Sequence, residues 1–427
     1  PVRAGQKAGA LGMGASRRAT MAAGAVCGVC ACCALSFLVL ISCYALQPLP
    51  DVLPGGLLKL FEVATGFSWA ENLVCVRRNA SFGAQRSASL FVTDNQRGEL
   101  LRIDWVGHER SGRYARPILH PASHDFSLMA GVAWNARTGE LFVLANPRPS
   151  VREREHCVVI SVDPFAQPDS PPASTYSIVA TLDRRCLGDG LAVHDSSGEL
   201  YVANQGAFVP RNGVVYRVDP RTGAVRAVIT GAFGTDGAFI DQKRALLYIS
   251  ESLSPSHSVL VYDLRESRLV GRIHPRGVTA LDDFTLSADG HSIIAADFLG
   301  NSGVGFSTGI GRASSRLSWS RSHVELASAI ISGVTVPTSI RRGCSADPTS
   351  GFNEELLFVA EGGGLSEFSH DRRVLAFALP PGGLGFLMRE TKARELADRP
   401  RAAPMQWPSL GASARRAAAG RAEPAGT

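Results

Sequence analysis

Between Leu53 and Leu387 no stretch of a dozen residues carries the apolar spacing of an amphipathic helix, which points away from a helical bundle or a βαβ core. The chain also lacks a Gly-x-Ser-x-Gly motif, so elbow-type serine hydrolysis has no support. Gly362-Gly363-Gly364 follows a strand-like run without leading into a helix, and so reads as a turn rather than a phosphate loop. Charge is scarce, at 19% of 427 residues, and the net +6 is a property of the ends. Residues 1–21 hold four basic and no acidic residues, and residues 389–427 hold eight basic and four acidic. The intervening chain is therefore slightly acidic, and no nucleic-acid partner is expected.

What is present begins with Ala22–Leu46, a run of 25 residues without a charge, about the length that spans a bilayer as a helix. Arg17 and Arg18 precede it while Asp51 follows. The positive-inside bias then leaves 1–21 as a cytosolic tail and puts the rest on the lumenal or extracellular side. A signal anchor is the reading adopted. A cleaved signal peptide, giving a secreted protein, is the rival, although such apolar cores usually run about 7–15 residues. Residues 389–427, rich in Ala, Arg and Pro, read as a disordered tail.

Five of nine cysteines lie in the apolar run, leaving Cys75, Cys157, Cys186 and Cys344. Four cysteines allow three pairings, of which Cys157 with Cys186 is preferred. Asn79-Ala80-Ser81 is a glycosylation acceptor sequence that suits the same compartment.

One pattern recurs six times in the middle of the chain: an apolar stretch, a turn, then a β-rich run closing on an acid or amide. The copies start at Glu71, Ala130, Gly188, Thr235, Leu281 and Pro337, and close at Asp94, Asn146, Asn204, Glu251, Asp297 and Glu361. Steps of 46 to 64 residues between the closing positions each hold four short strands, the content of one propeller blade. Residues 53–387 are therefore expected to form an all-β, six-bladed β-propeller behind one N-terminal transmembrane helix, a closed ring without a long exposed sheet edge.

In such a ring the first strand of each blade lines the central channel, so residues about 50 positions apart converge on one axis. Glu71, Asp189, Asp236, Asp282 and Asp283 stand at the copy starts, and the 47-residue steps from Asp189 to Asp236 and on to Asp283 hold one register. Two carboxylates about 4 Å apart repel by on the order of 4 kcal/mol at an effective dielectric of 20. A hard divalent cation, calcium or another of its kind, would relieve that repulsion with oxygen ligands. No Cys or His occupies these positions, which argues against a zinc-type centre. The plainer alternative is that the Asp-Gly pairs cap turns.

Glu71-Asn72-Leu73, the Asp-Gly copies and Asp282-Asp283 resemble the calcium-dependent lactonase propellers, the paraoxonase/arylesterase group with the gluconolactonase/senescence-marker-protein group behind it. The likeness runs from about Leu57 to Leu379 and is strongest in GDGLAVHDSSGELYVANQGAF and TDGAFIDQKRALLYISE. It implies a propeller hydrolase of small lactones or esters, with calcium held by Glu71, Asp189 (its register uncertain by one residue), Asp236, Asp282 and Asp283. The metal would polarise the substrate carbonyl, and a carboxylate such as Asp283 would deprotonate the attacking water. Two departures stand out. Asp236 occupies a position usually held by an asparagine ligand, and Ala130 stands where the paraoxonase-like group has a proton-transferring histidine. His120 and His124, on the loop before that blade, are substitutes for that base or simply surface residues. Two other functions stay open: a metal-stabilised propeller that binds and catalyses nothing, and a strictosidine-synthase-like propeller that needs no metal.

Overall fold

The computed structural model describes residues 51–52, 56–77, 88–105, 115–147, 156–171, 174–182, 188–206, 210–252, 254, 257–308, 323–347, 350–363 and 372–379. The expected membrane segment 22–46, both tails and Asn79-Ala80-Ser81 lie outside them. Among the described residues no helix is long and apolar enough to cross a membrane, and one 3-10 turn, Pro121–Asp125, interrupts the strands.

Six antiparallel sheets follow one another along the chain as a six-bladed propeller. Their innermost strands are Ala70–Arg77, Phe126–Asn135, Gly188–Val193, Thr235–Asp241, Leu281–Leu286 and Pro337–Arg342. Each pairs with the strand that ends its sequence copy, so the repeat legible in the sequence is the inner hairpin of each blade. Parallel additions extend two blades. His323–Leu326 joins the outer edge of the fourth, and Asp51–Val52 that of the fifth.

Burial explains this order. The second strands Ala88–Asp94 and Leu246–Glu251 are buried at every position, whereas the outermost strand Ala224–Ala232 is exposed along most of its length. A strand covered on both faces must be apolar throughout, because successive side chains point to opposite faces. In the second blade, Leu141, Val143 and Ala145 pack toward the first blade, while Phe142 and Leu144 pack toward the third. Every pair of neighbouring blades shares one such apolar cluster, six around the ring.

Ring closure is a feature the sequence copies did not reveal. The sixth blade takes its outermost strand from the other end of the propeller: Lys59–Thr65 pairs antiparallel with Arg373–Ala378. Beside this seam the Thr338 hydroxyl donates to the Ala70 carbonyl at 2.7 Å, tying the sixth blade to the first. A Cys75–Cys344 disulfide bridges the same two blades across 269 positions of sequence. Cys157 is also disulfide-bonded, and its expected partner Cys186 lies outside the described residues.

A crosslink that closes so long a loop restrains the unfolded chain. Replacing Cys75 and Cys344 together by serine is therefore expected to lower stability by about 2–5 kcal/mol. Urea unfolding of the double variant against the parent checks this, and unchanged midpoints would show that the seam holds without the bond.

Candidate functional site

Each innermost strand breaks register with its partner at the same place. The pairing skips from Ala70 to Leu73, Met129 to Val132, Gly188 to Leu191, Thr235 to Ala238, Leu281 to Phe284 and Pro337 to Ser339. In the first five blades two residues thus stand opposite one, which is a β-bulge, a device that re-aims side chains next to functional sites. The bulged pairs are Glu71-Asn72, Ala130-Gly131, Asp189-Gly190, Asp236-Gly237 and Asp282-Asp283. Every acid expected at the channel sits in a bulge.

The glycines that follow two of these acids are not turn residues, since neither Gly190 nor Gly237 has a positive φ. Both lie within strands. A side chain there would strike the next blade. A Cβ on Gly237 would meet the Asp282 carbonyl oxygen at 2.7 Å, and one on Gly190 would collide with the Asp236 carbonyl oxygen. Gly131 is held the same way, since a Cβ there would meet the Asp189 carbonyl oxygen at 2.6 Å. The turn-capping reading of Asp-Gly is therefore overturned: the acid is turned at the bulge and the glycine lets the neighbouring inner strand close in.

The loops that carry the acids are pinned by the closing residues of the repeat. Asp94 accepts from the backbone N–H groups of Ser68 and Trp69 at 2.6 and 2.9 Å. Glu251 accepts from Phe233 N–H at 3.0 Å, Asp297 from Thr279 and Ala280 N–H at 3.1 and 2.9 Å, and Glu361 from Thr335 N–H at 2.7 Å. Four blades thus use the acid at the end of the second strand to hold the entry to their own first strand. Charge-assisted bonds of this kind are among the stronger ones.

The five acids form one electrostatic group. Burial pushes the Glu71 carboxyl up to about 7, with Asp236 and Asp283 adding repulsion against the lowering effects of Asp189 and Trp69. Burial, followed by the charges of neighbouring acids, holds Asp189, Asp236 and Asp282 well above the usual carboxylate range. Carboxyl-to-carboxyl contacts link Glu71 to Asp189 and Asp189 to Asp236. Asp283 is raised by burial as well, but among the five acids it is the one with a cation beside it in the described residues. Arg341 Nη2 lies 2.7 Å from its Oδ2 and Ser339 Oγ donates to the same oxygen at 2.6 Å.

Three of the other four acids have one oxygen held by a neighbour. The Trp69 indole N–H donates to Glu71 Oε2, Gln205 Nε2 to Asp189 Oδ2 at 2.6 Å, and the Ser252 hydroxyl to Asp236 Oδ2. The Oδ1 atoms of Asn72, Asp189, Asp236 and Asp282 are buried and have no hydrogen-bond partner among the described residues. Such atoms are rare in native interiors. Four oxygen donors from four blades, on an anionic group without nitrogen or sulfur, suit a hard cation. Among the described residues no group of three or more His, Cys, Asp or Glu side chains is placed as it stands to hold a metal ion. What stands there is a coupled group of acids with unused oxygens.

Sequence reasoning named all five acids but missed their supports. Gln205, Ser252 and Phe298 each directly follow a closing residue of the repeat, a register that would have found them. Trp69 packs against Phe298 with ring centroids 6.1 Å apart. A Cβ on Gly362 would meet its ring at 2.9 Å, so an aromatic wall stands beside Glu71. The bulge position in the second blade holds Ala130, whose carbonyl accepts from the Thr93 hydroxyl at 2.7 Å. His120 is not a substitute base. It is buried, its Nδ1 accepts from Ala122 N–H, and its Nε2 lies 2.7 Å from the Asp163 carbonyl oxygen. It ties the first blade to the second. The side chain of His124 lies outside the described set.

No family model matches the chain, and no curated protein does. Among solved structures it is similar to a luciferin-regenerating enzyme at 12% identity and a TM-score of 0.52, covering 76% of this chain and 95% of the other. It also matches a chain in a nidogen/laminin complex, at 10% identity and a TM-score of 0.43 over 64% of this chain and 85% of that one. The first likeness agrees with the propeller fold, and the second is too slight to add to it.

A carboxyl whose folded pKa lies above its unfolded value favours the folded state while protonated. Its contribution is complete in acid and is lost as pH rises through the folded pKa. With divalent ions chelated, the melting temperature is therefore expected to fall from about pH 4 upward through about pH 8. Glu71 titrates near 7 within that window. Melting that rises over the same interval would contradict the raised carboxyls.

Proposed function

We propose that the chain is a metal-dependent hydrolase of small lactones or aryl esters. In this reading Glu71, Asp189, Asp236 and Asp282 bind one divalent cation, calcium being the best fit, at the mouth of the channel. The observation that carries it is the set of four buried oxygens, on Asn72, Asp189, Asp236 and Asp282, left without a donor. Asp283 was expected among the ligands too. Its contacts with Arg341 and Ser339 give it a supporting place, holding the Asp282 bulge while its charge is balanced from the protein side. The resemblance to the calcium-dependent lactonase propellers points the same way, and the similar luciferin-regenerating enzyme is by name an enzyme.

Once bound, the cation supplies the positive charge that polarises a carbonyl and stabilises a developing oxyanion. The protein's own part is positioning. Trp69 fixes one oxygen of Glu71 and, with Phe298, offers an aromatic face to an aryl or lactone ring. Gln205 and Ser252 fix one oxygen each of Asp189 and Asp236, leaving the second oxygen of each without a donor among the described residues. Proton acceptance from water falls to a carboxylate with an oxygen to spare, which favours Asp189, Asp236 or Asp282 over Asp283.

One observation favours the rival, a metal-stabilised propeller that binds without catalysing. Ala130 occupies the second-blade site position, and both nitrogens of His120 are engaged elsewhere, so the family's usual base has no replacement among the described histidines near that blade. Residues 22–46 are proposed to anchor the propeller on the lumenal or extracellular side, or to release it there if cleaved. The Cys75–Cys344 disulfide supports an oxidising compartment.

Aryl-ester and lactone hydrolysis, assayed beside thermal melting with EDTA and with added calcium, decides between these readings. The hydrolase reading expects turnover that EDTA removes and calcium restores. It also expects Asp282→Ala to lower kcat/KM by about 100-fold or more, the scale of one lost electrostatic stabiliser. Melting that responds to calcium without any turnover would establish the binding propeller instead, and indifference of both to EDTA would exclude a metal.

A further inference from the structure

The channel has a second mouth. Past the acids, the innermost strands run on for about five residues, roughly 15 Å of extended chain, and open into a cavity of about 480 Å³ at the opposite face. Arg341 stands between the two. Its guanidinium pairs with Asp283 on one side and lies 5.7 Å above the Phe239 ring on the other, and Phe239 lines the cavity.

Trp134, Leu191, Val193 and Leu286 give the cavity an apolar wall, and the rim is built from the loops that join the first and second strands of the fourth and fifth blades together with Arg342 at the end of the sixth blade's innermost strand. The charges on that rim are unevenly satisfied. Asp241 accepts from the backbone N–H groups of Lys243 and Arg244 and pairs with the Arg244 guanidinium at 2.6 Å. Asp289 accepts from the Ser287 hydroxyl at 2.6 Å and from His291 N–H at 3.0 Å. The rim acids are thus occupied by their own loops.

Two rim bases are not. Lys243 is exposed and forms no ion pair among the described residues. Arg342 gives one bond, from Nη2 to the Glu354 carbonyl at 3.0 Å, while its Nε is buried without a hydrogen-bond partner. Burial lowers its affinity for a proton, and only the charge of Glu354 offsets this. An open chamber with apolar walls on one side, edged by a lysine without an ion pair and an arginine with an unused Nε, matches one chemistry: an apolar body ending in a single negative charge.

We propose that this opposite mouth is a second ligand site, for a small monoanionic amphiphile of the aliphatic or aryl carboxylate class. Its apolar body lies against Trp134, Leu191 and Leu286, and its carboxylate meets Lys243 and Arg342. The site needs no metal and holds whether or not the other mouth catalyses.

Calorimetric titration of the full chain with octanoate tests this. Octanol and octyltrimethylammonium serve as its neutral and cationic counterparts, and calcium is kept saturating throughout. Octanoate is expected to bind saturably at one site per chain, at least about tenfold more tightly than octanol, the scale of one charge-assisted contact. The cationic analogue should show no saturable binding. Lys243→Gln, at an exposed position that cannot threaten folding, and Arg342→Gln should each weaken octanoate severalfold while leaving octanol unchanged. Equal affinity for octanoate and octanol, or octanoate affinity indifferent to both substitutions, or no saturable binding at all, would overturn the proposal.

Discussion

The approach of one innermost strand to the next, at the bulge in each blade, is the constraint on which everything else here depends. Where Gly131, Gly190 and Gly237 stand, the neighbouring backbone comes so near that no Cβ fits. That proximity closes the ring tightly around its axis. It also forces the acids beside those glycines into one another's field, and a group of carboxylates so placed is unstable unless protonated or neutralised by a cation. Ring closure and the chemistry at the channel mouth are two consequences of the same spacing.

The two mouths resolve their charge differently. At the first, among the described residues, acids outnumber cations and only Asp283 has a basic partner, Arg341. At the second, the acids Asp241 and Asp289 are held within their own loops, and the bases Lys243 and Arg342 are left over. Arg341 is the one charged side chain that touches both, through Asp283 above and Phe239 below. A ring whose cavities prefer opposite charges at its two ends has a built-in polarity along its axis.

Much of this was legible in the sequence because the repeat is short-range and periodic. The inner hairpins announced themselves through largely apolar second strands such as SLFVTD and LLYISE, ended by an acid. The convergence of Glu71, Asp189, Asp236, Asp282 and Asp283 followed from register alone. What register cannot supply is pairing between distant segments. Lys59–Thr65 carries no copy of the motif, and only the ring shows that it completes the sixth blade against Arg373–Ala378. The Cys75–Cys344 bond was hidden for the same reason, since its two ends are neighbours only through that seam. The Asp-Gly pairs left a turn-capping alternative open that only the structure closes: a dipeptide that usually marks a turn is here a bulge, because a neighbouring backbone, not a local bend, demands the glycine.

The claim that these acids share one cation is tested most directly with terbium, which occupies calcium sites and emits when a nearby indole absorbs. Trp69 is bonded to Glu71 and would be the sensitiser. Wild-type protein should give saturable sensitised emission at one ion per chain, displaced by calcium. Trp69→Phe should lose the emission yet still bind the ion by equilibrium dialysis, and a variant with Asp189, Asp236 and Asp282 all changed to Asn should lose both. Dialysis that finds no bound ion in the wild-type protein would contradict the account.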